Sequence, residues 1–444
     1  MKRKRWIWFG IGIGILSVLL GGCDCEGTEK MAELAAASYP EEPVFKNTDE
    51  EWEYSRARRT ALTDPFCRAY ENFAINTAAE LFKGTDENQV YCPLSLYYAL
   101  ALAADGAAGE TQEEMLQMLG FSDCESLAEE CKNSFEALYH VPNEENMKPN
   151  EWGEYSQSSL YQLRIANSVW ADDSIAVKTS FADRGAEYFY ADIFQTDLQA
   201  EETGALRSQW VKERTNGLIT PGEEPADDLS LLAIMNTVYF YDEWINRFDV
   251  EKTKQDRFFC ADGTEVICDF MNMEMGSHGF RKGENYTESS LSLKNGTMTF
   301  YLPDEGVSVG EMVKDAETLE HILNSEMDFQ SGQVIWKVPK FTYGSHMNLS
   351  DMLKAVGMEQ AFSEQADFSN MSDDSTMFIS SVIQDANLGI DENGVEGAAY
   401  TEILYAGAAM PTGRAEMILN RPFLFTVKNN GILLFVGICQ NPAE

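Results

Sequence analysis

Residues 389–425 read GIDENGVEGAAYTEILYAGAAMPTGRAEMILNRPFLF. The stretch lies between MFISSVI (377–383) and PFLFTV (422–427), both of which read as buried strands. Between them stand about thirty small, acidic, extensible residues with nothing that marks a helix core, and compact domains rarely keep a loop that long unless it is functional or disordered. Read at period two from Val395, one face carries Val395, Gly397, Ala399, Thr401, Ile403 and Tyr405. The other carries Glu396, Ala398, Tyr400, Glu402 and Leu404. Both acids share one face, and the opposite face begins with residues small enough to slide between existing strands. The pattern predicts a latent β-strand with one side to a core and one to water. A flexible acidic linker would have no use for Ile403, Leu404 and Tyr405.

Working outward, hairpin turns are signalled at Asp262-Gly263, Asn295-Gly296 and Asn430-Gly431. The first would place Cys260 opposite Glu265 rather than Cys268. Helical patterns occupy PFCRAYENFAINTAAELFKG (65–84), PLSLYYALALAADGA (93–107) and TQEEMLQMLGF (111–121). In the last of these, Thr111 is placed as an N-cap with Glu114 three residues on. Helices come mostly first and strands mostly later, with no regular βαβ alternation and no internal repeat. That order predicts an α+β fold.

The chain has 444 residues, 44% of them hydrophobic, and no linker divides it after about residue 60. A single large domain over 61–444 follows. The formal charge is −40, from 73 acidic against 33 basic residues, a surface that repels phosphate backbones and argues against nucleic-acid binding. The N-terminus opens with MKRKR, followed by an apolar run of 15 residues from Trp6 to Leu20. A transmembrane helix needs ~20 residues, whereas a signal peptide needs fewer. The run ends in LLGGCDC (19–25), which resembles the bacterial lipobox. The resemblance implies a lipoprotein signal over 1–22, acylation of Cys23 and a membrane-anchored protein facing outside the cytoplasm. Residues 23–60 are acidic and Ala-rich and read as a tether. The remaining cysteines show neither CxxC pairs nor metal-ligand spacing and read as small buried hydrophobes.

Four histidines, His140, His278, His321 and His346, sit in no HExxH, GxSxG or Cys-nucleophile context, and no phosphate-binding glycine motif is present. The residues therefore predict no enzyme, no metal and no cofactor.

The quoted stretch also carries a resemblance. DENGVEGAAYTE (391–402) is similar to the hinge of a serpin reactive-centre loop. The likeness continues through NQVYCPLSLYYALALAADGAAGETQEEMLQMLGF (88–121), IANSVW (165–170), WVKERTNGLI (210–219), IMNTVYFYDEW (234–244), VPKF (338–341), AFSEQADFSNMS (361–372) and RPFLF (421–425). The motifs stand in the family's order over about residues 66 to 442. The resemblance implies three β-sheets with about nine helices, a monomer, and inhibition of serine proteases through a covalent complex. In that mechanism the cleaved loop inserts into a central sheet and drags the acyl-enzyme with it. The hinge would be Glu392, Gly394, Val395, Glu396, Gly397, Ala398, Ala399 and Thr401, without inward charge or bulk. Ser95, Asn236, Trp244 and Gln384 would govern opening of the sheet. The sequence departs from the family at Gly397, usually Ala, at Gln384, often His, and at Cys92, often Ser.

The family's spacing from Glu392 places the attacked bond at Ala408–Ala409, with Ala409–Met410 second. Pro411 disfavours cleavage after Met410, and Arg414 lies too far from the hinge. Alanine at the attacked position suits elastase- or subtilisin-like enzymes. The rival expectation is a non-inhibitory member that acts as a binding protein.

Overall fold

The computed structural model describes residues 31–148, 161–223, 231–324, 329–374, 377–395 and 413–443. Among them the first half supplies most of the helices. Helix α1 (Thr48–Ala61) begins at Asn47, whose side chain accepts from the amides of Asp49 and Glu50. Helix α2 (Asp64–Phe82) is capped by Thr63 and buries Phe66, Tyr70, Phe73, Ala74, Ala78 and Phe82, the i, i+3, i+4 stripe of a core-facing helix. Helix α3 (Pro93–Gly106) starts on Pro93 and is buried on nearly every side, as its continuous apolar run requires. Helix α4 (Gly109–Leu119) ends on Gly120 at φ +80°, where a Cβ would meet that of Ala69 at 2.7 Å. Then come α5 (Cys124–Leu138), α6 (Thr179–Tyr188), α7 (Glu201–Arg214), α8 (Ala316–Leu323) and α9 (Ser350–Ala355). Nine helices among the described residues match the number that the resemblance implies.

The first sheet has seven strands. In spatial order they are β1 (Ala32–Ala35), β4 (Ala191–Thr196), β3 (Gln162–Asp172), β5 (Leu232–Glu243), β13 (Gly394–Val395), β12 (Ile383–Ile390) and β11 (Phe341–Asn348). The second ladder runs β14 (Gly413–Ile418), β10 (Gln330–Pro339), β7 (Glu265–Lys282), β8 (Tyr286–Ser292), β9 (Gly296–Pro303), β15 (Phe423–Asn429), β16 (Ile432–Cys439) and β2 (Gln89–Tyr91). Strand β6 (Lys254–Phe259) pairs with β7 off this path. The long β7 spans both parts of this ladder. Its earlier residues pair with β6 and β10, and Phe280–Lys282 pair with β8. Strand β7 thus joins the two parts of this ladder into one nine-stranded sheet. Helix α3 lies between the layers, against β5 on one side and β16 on the other.

Several local expectations shift. MFISSVI is mostly irregular, and the strand is IQDANLGI, in which Gln384, Ala386, Leu388 and Ile390 alternate into the core. Thr111 lies inside the first turn of α4, whose N-cap is Ala108, and its Oγ1 instead accepts from the amide of Asp367 at 2.9 Å. At Asp262-Gly263 the loop has three residues and ends on Gly263 at φ +85°, so Phe259 faces Glu265 and Cys260 faces Thr264. The Asn430-Gly431 turn has both residues at positive φ, as a two-residue hairpin demands. Seven cysteines in the described residues are free.

The segment read as a tether is built into the domain from residue 31 onward. Strand β1 extends the first sheet by pairing with β4. Glu42 is buried, its Oε2 accepting from the Asn143 amide at 2.7 Å and from Asn146 Nδ2 at 2.9 Å. Apolar periodicity could not reveal this, because polar hydrogen bonds dock the segment.

Candidate functional site

The head of the latent strand is already seated in the first sheet. Gly394 pairs with Glu243 and Val395 with Asp242 on β5, and Val395 also pairs with Ile390 on β12. Val395 is 1% exposed. A Cβ on Gly394 would approach the Asp242 carbonyl oxygen to 2.3 Å, so only glycine permits this contact with β5. Beyond Val395, no ladder joins β5 to β12 among the described residues. Among the described residues, β5 and β12 are thus joined only through Gly394 and Val395, the head of the latent strand. The far end of the loop returns in the other layer, where β14 pairs in parallel with β10.

Short-range polar contacts fix this strand head. Asp391 Oδ1 accepts from the amides of Asn393 at 2.8 Å and Gly394 at 3.2 Å, an Asx-type turn. Trp244, fully buried, donates from Nε1 to the Asp391 carbonyl and from its amide to the Asn393 carbonyl, both at 2.9 Å. Glu392 is a correction to the hinge reading, because it is an inward carboxylate. It is tolerated because Lys340 Nζ lies 2.7 Å from one oxygen and Thr253 Oγ1 donates to the other at 2.7 Å. Burial pushes its pKa up, but those two hydrogen bonds outweigh burial and hold it below the usual carboxylate value.

The strand end that grips the loop is itself charged. Glu243 is 1% exposed and pairs with Arg247 at 2.7 Å and Lys294 at 2.6 Å. Asp242 accepts from the Asn295 amide at 2.8 Å and from the Glu243 amide at 2.9 Å. Burial nevertheless pushes its pKa up to about 7. The folded protein thus keeps a proton that the unfolded chain gives up near pH 4. Stability from this group falls as pH rises from about 4 to 7, by up to ~1.4 kcal/mol per pH unit, and is constant above. Asp242→Asn removes that slope. The melting temperature of the variant minus that of the wild type should climb between pH 5 and 7 and level off by pH 8. A difference independent of pH would mean that Asp242 ionises normally.

The remaining predicted residues fall into separate places. Gln384 donates from Nε2 to the Cys92 carbonyl and accepts at Oε1 from the Cys92 amide, both at 2.9 Å, tying β12 to the start of α3. Ser95 is buried in the first turn of α3. Asn236 faces Asn167 across β5 and β3 and donates to its side-chain oxygen, while Asn167 donates to the Phe189 carbonyl. Asn236 Oδ1 has no hydrogen-bond partner among the described residues. Glu396, Gly397, Ala398, Ala399, Thr401, Ala408, Ala409, Met410 and Cys23 lie outside the described residues. Lys340, Thr253, Asp242 and Lys294 were missed by sequence reasoning. The acidic pair closing the apolar run YFYDEW was the available signal for Asp242. No cluster of His, Cys, Asp and Glu among the described residues could hold a metal ion. No helix among them is long and apolar enough to cross a membrane.

A family model described as Serpin (serine protease inhibitor) matches residues 68–442. Iripin-1 of Ixodes ricinus is 27% identical, over 85% of this chain and 95% of that protein. The thermophilic serpin Tengpin in its native state is 26% identical with a TM-score of 0.71, covering 93% of this chain and 100% of its own. Against the latent state of Tengpin the TM-score is 0.66 and the coverage of this chain 84%. Human thyroxine-binding globulin, solved as a complex with its ligand, shares the fold at 23% identity and a TM-score of 0.69, covering 85% of this chain and 100% of that one.

Proposed function

The chain belongs to the serpin family, and from that premise we propose that it is a suicide-type inhibitor of serine proteases. It has no catalytic turnover of its own and acts as a monomer. One observation carries the reading: Val395 is buried between β5 and β12, which no other pairing joins among the described residues.

The bait is attacked, the protease becomes an acyl-enzyme, and the freed strand zips in between β5 and β12 before water can release it. Continuing the observed register sets Gly397 beside Phe240 and Leu388, Ala399 beside Val238 and Ala386, and Thr401 between Asn236 and Gln384. Thr401 would thus reach Asn236 Oδ1, which has no partner among the described residues. Tyr405 would meet Leu232, where β5 begins. Glu396 and Glu402 fall on the water side. About 16 residues at ~3.3 Å span ~55 Å, close to the ~55 Å diameter expected of a domain this size. The protease is carried from one pole to the other.

Ala408–Ala409 is the proposed scissile bond, with Ala409–Met410 second, and the targets are elastase- or subtilisin-like enzymes. Incubation with a panel of serine proteases should give SDS-stable complexes with these enzymes and little with trypsin. Mass spectrometry should find a released C-terminal fragment that begins at Ala409. A fragment beginning at Ala415, with trypsin the best-trapped enzyme, overturns the assignment. Loop cleavage without any complex would favour the binding-protein reading.

The LLGGCDC start supports a lipid-anchored bacterial protein held on the outer side of a cell membrane through Cys23. Cys23→Ser should move the protein from the detergent-extracted membrane fraction to the soluble one. A wild-type chain without lipid would remove this part.

A further inference from the structure

Where α1, the end of α5 and two turns of the second ladder meet, the surface sinks into a half-open cavity of about 170 Å³. Arg58, Arg59, His140, Lys294, Asn295 and Asn430 are among its walls, and none of its lining residues is Asp or Glu. In a chain where acids outnumber bases 73 to 33, such a wall runs against composition.

Lys294 is paired with the buried Glu243, whereas the two arginines have no carboxylate partner among the described residues. Arg59 is exposed and forms no ion pair among the described residues. Arg58 donates to the Glu136 carbonyl at 3.1 Å, to His140 Nδ1 at 3.1 Å and to the Tyr139 carbonyl, with no carboxylate partner in an ion pair among the described residues. Three acids contact residues of the wall. Glu42 is 3.6 Å from the far nitrogen of His140, and Asp242 and Glu243 sit beneath the 293–296 turn.

We infer that this cavity binds a small phosphate-type oxyanion and that its occupancy is felt at the hinge. Two guanidinium groups and an ammonium around one opening match the several charge-assisted hydrogen bonds that phosphate accepts. The cavity has room for more than one water, each needing ~10–15 Å³ by the same measure. Net charge would repel a phosphate from the molecule as a whole, so saturable binding has to come from a local site. Arg58 and Arg59 precede residues 68–442, the span matched by the family model.

The link to the hinge is short. The Lys294 amide donates to the Glu243 carbonyl at 2.9 Å and its ammonium pairs with the Glu243 carboxylate, while the Asn295 amide holds Asp242. Asp242 and Glu243 are the ladder partners of Val395 and Gly394. An anion that shares Lys294 loosens this end of β5.

Calorimetric titration of the full chain with inorganic phosphate should give one saturable site, weakened about tenfold by Arg59→Ala, as loss of a charge-assisted hydrogen bond predicts. Lys83→Ala, a surface cation elsewhere, should leave the affinity unchanged. Saturating phosphate should also speed hydrogen exchange in residues 391–395, and not in Arg59→Ala. Absence of saturable binding, or equal affinity in Arg59→Ala, overturns the site. Binding with unchanged exchange overturns the link to the hinge. Neither readout depends on protease trapping, so the inhibitor reading stands or falls separately.

Discussion

Cleaving the loop at Ala408–Ala409 raises the melting temperature by about 10–20 °C, even though a peptide bond has been lost. The expectation follows from the proposed strand insertion. Residues 396–405 would each offer one N–H and one C=O to the flanking strands, about 20 hydrogen bonds at ~1 kcal/mol net apiece. Ordering their backbone costs about 1–1.5 kcal/mol per residue, which leaves about 5–10 kcal/mol. For a chain this long each kcal/mol is worth ~2 °C. The check is a thermal melt of intact protein beside protein nicked in the loop by a protease that escapes trapping. Equal midpoints would mean that the freed strand stays outside, and the trapping mechanism would go with it.

That reserve is visible from two directions. The residues after Val395 alternate as a strand should, and among the described residues the ladder between β5 and β12 runs only through Gly394 and Val395. The first half of this was legible in the sequence because strand periodicity is local. So were α2, with its apolar stripe, and the Asn430-Gly431 turn, whose backbone few other residue pairs can adopt. What the sequence concealed was pairing over distance. Glu392 looks like a charge that should stay outside, and Lys340, 52 positions earlier, is what lets it in. Thr111 looks like a cap, since a hydroxyl near a helix start serves a cap and a tertiary contact equally well, and only the fold brings the Asp367 amide to it. The α1 segment has no apolar stripe to read. Its docking depends on Glu42, Asn146 and Arg58, whose partners lie about 80 to 100 positions away along the chain. Local chemistry announced a latent strand, and long-range polar contacts hold its first residues, Gly394 and Val395, between β5 and β12.

Val395→Arg should abolish the covalent complex while leaving the loop cleavable. Val395 is enclosed between Asp242 and Ile390 with 1% of its surface exposed, so the substitution forces a long cation under the sheet. Asp242 offers little compensation. Its oxygens already accept from the Asn295 and Glu243 amides, and burial favours its neutral form up to about pH 7. Burying an unpaired charge costs several kcal/mol. Because Val395 is seated in the intact protein, the arginine first expels the strand head. If re-entry after cleavage carries only ~3 kcal/mol of that cost, insertion slows by about a hundredfold. Deacylation then wins, the protease leaves, and the protein is consumed as a substrate. On a denaturing gel the complex band should fall to a few per cent of wild type, by the same arithmetic, while the cleaved band grows. Glu396→Arg is the companion variant. It changes the next residue on the opposite parity, whose side chain stays in water after insertion, and should trap as well as wild type. Undiminished complex in Val395→Arg, or equal loss in both variants, would break the link between strand parity and inhibition.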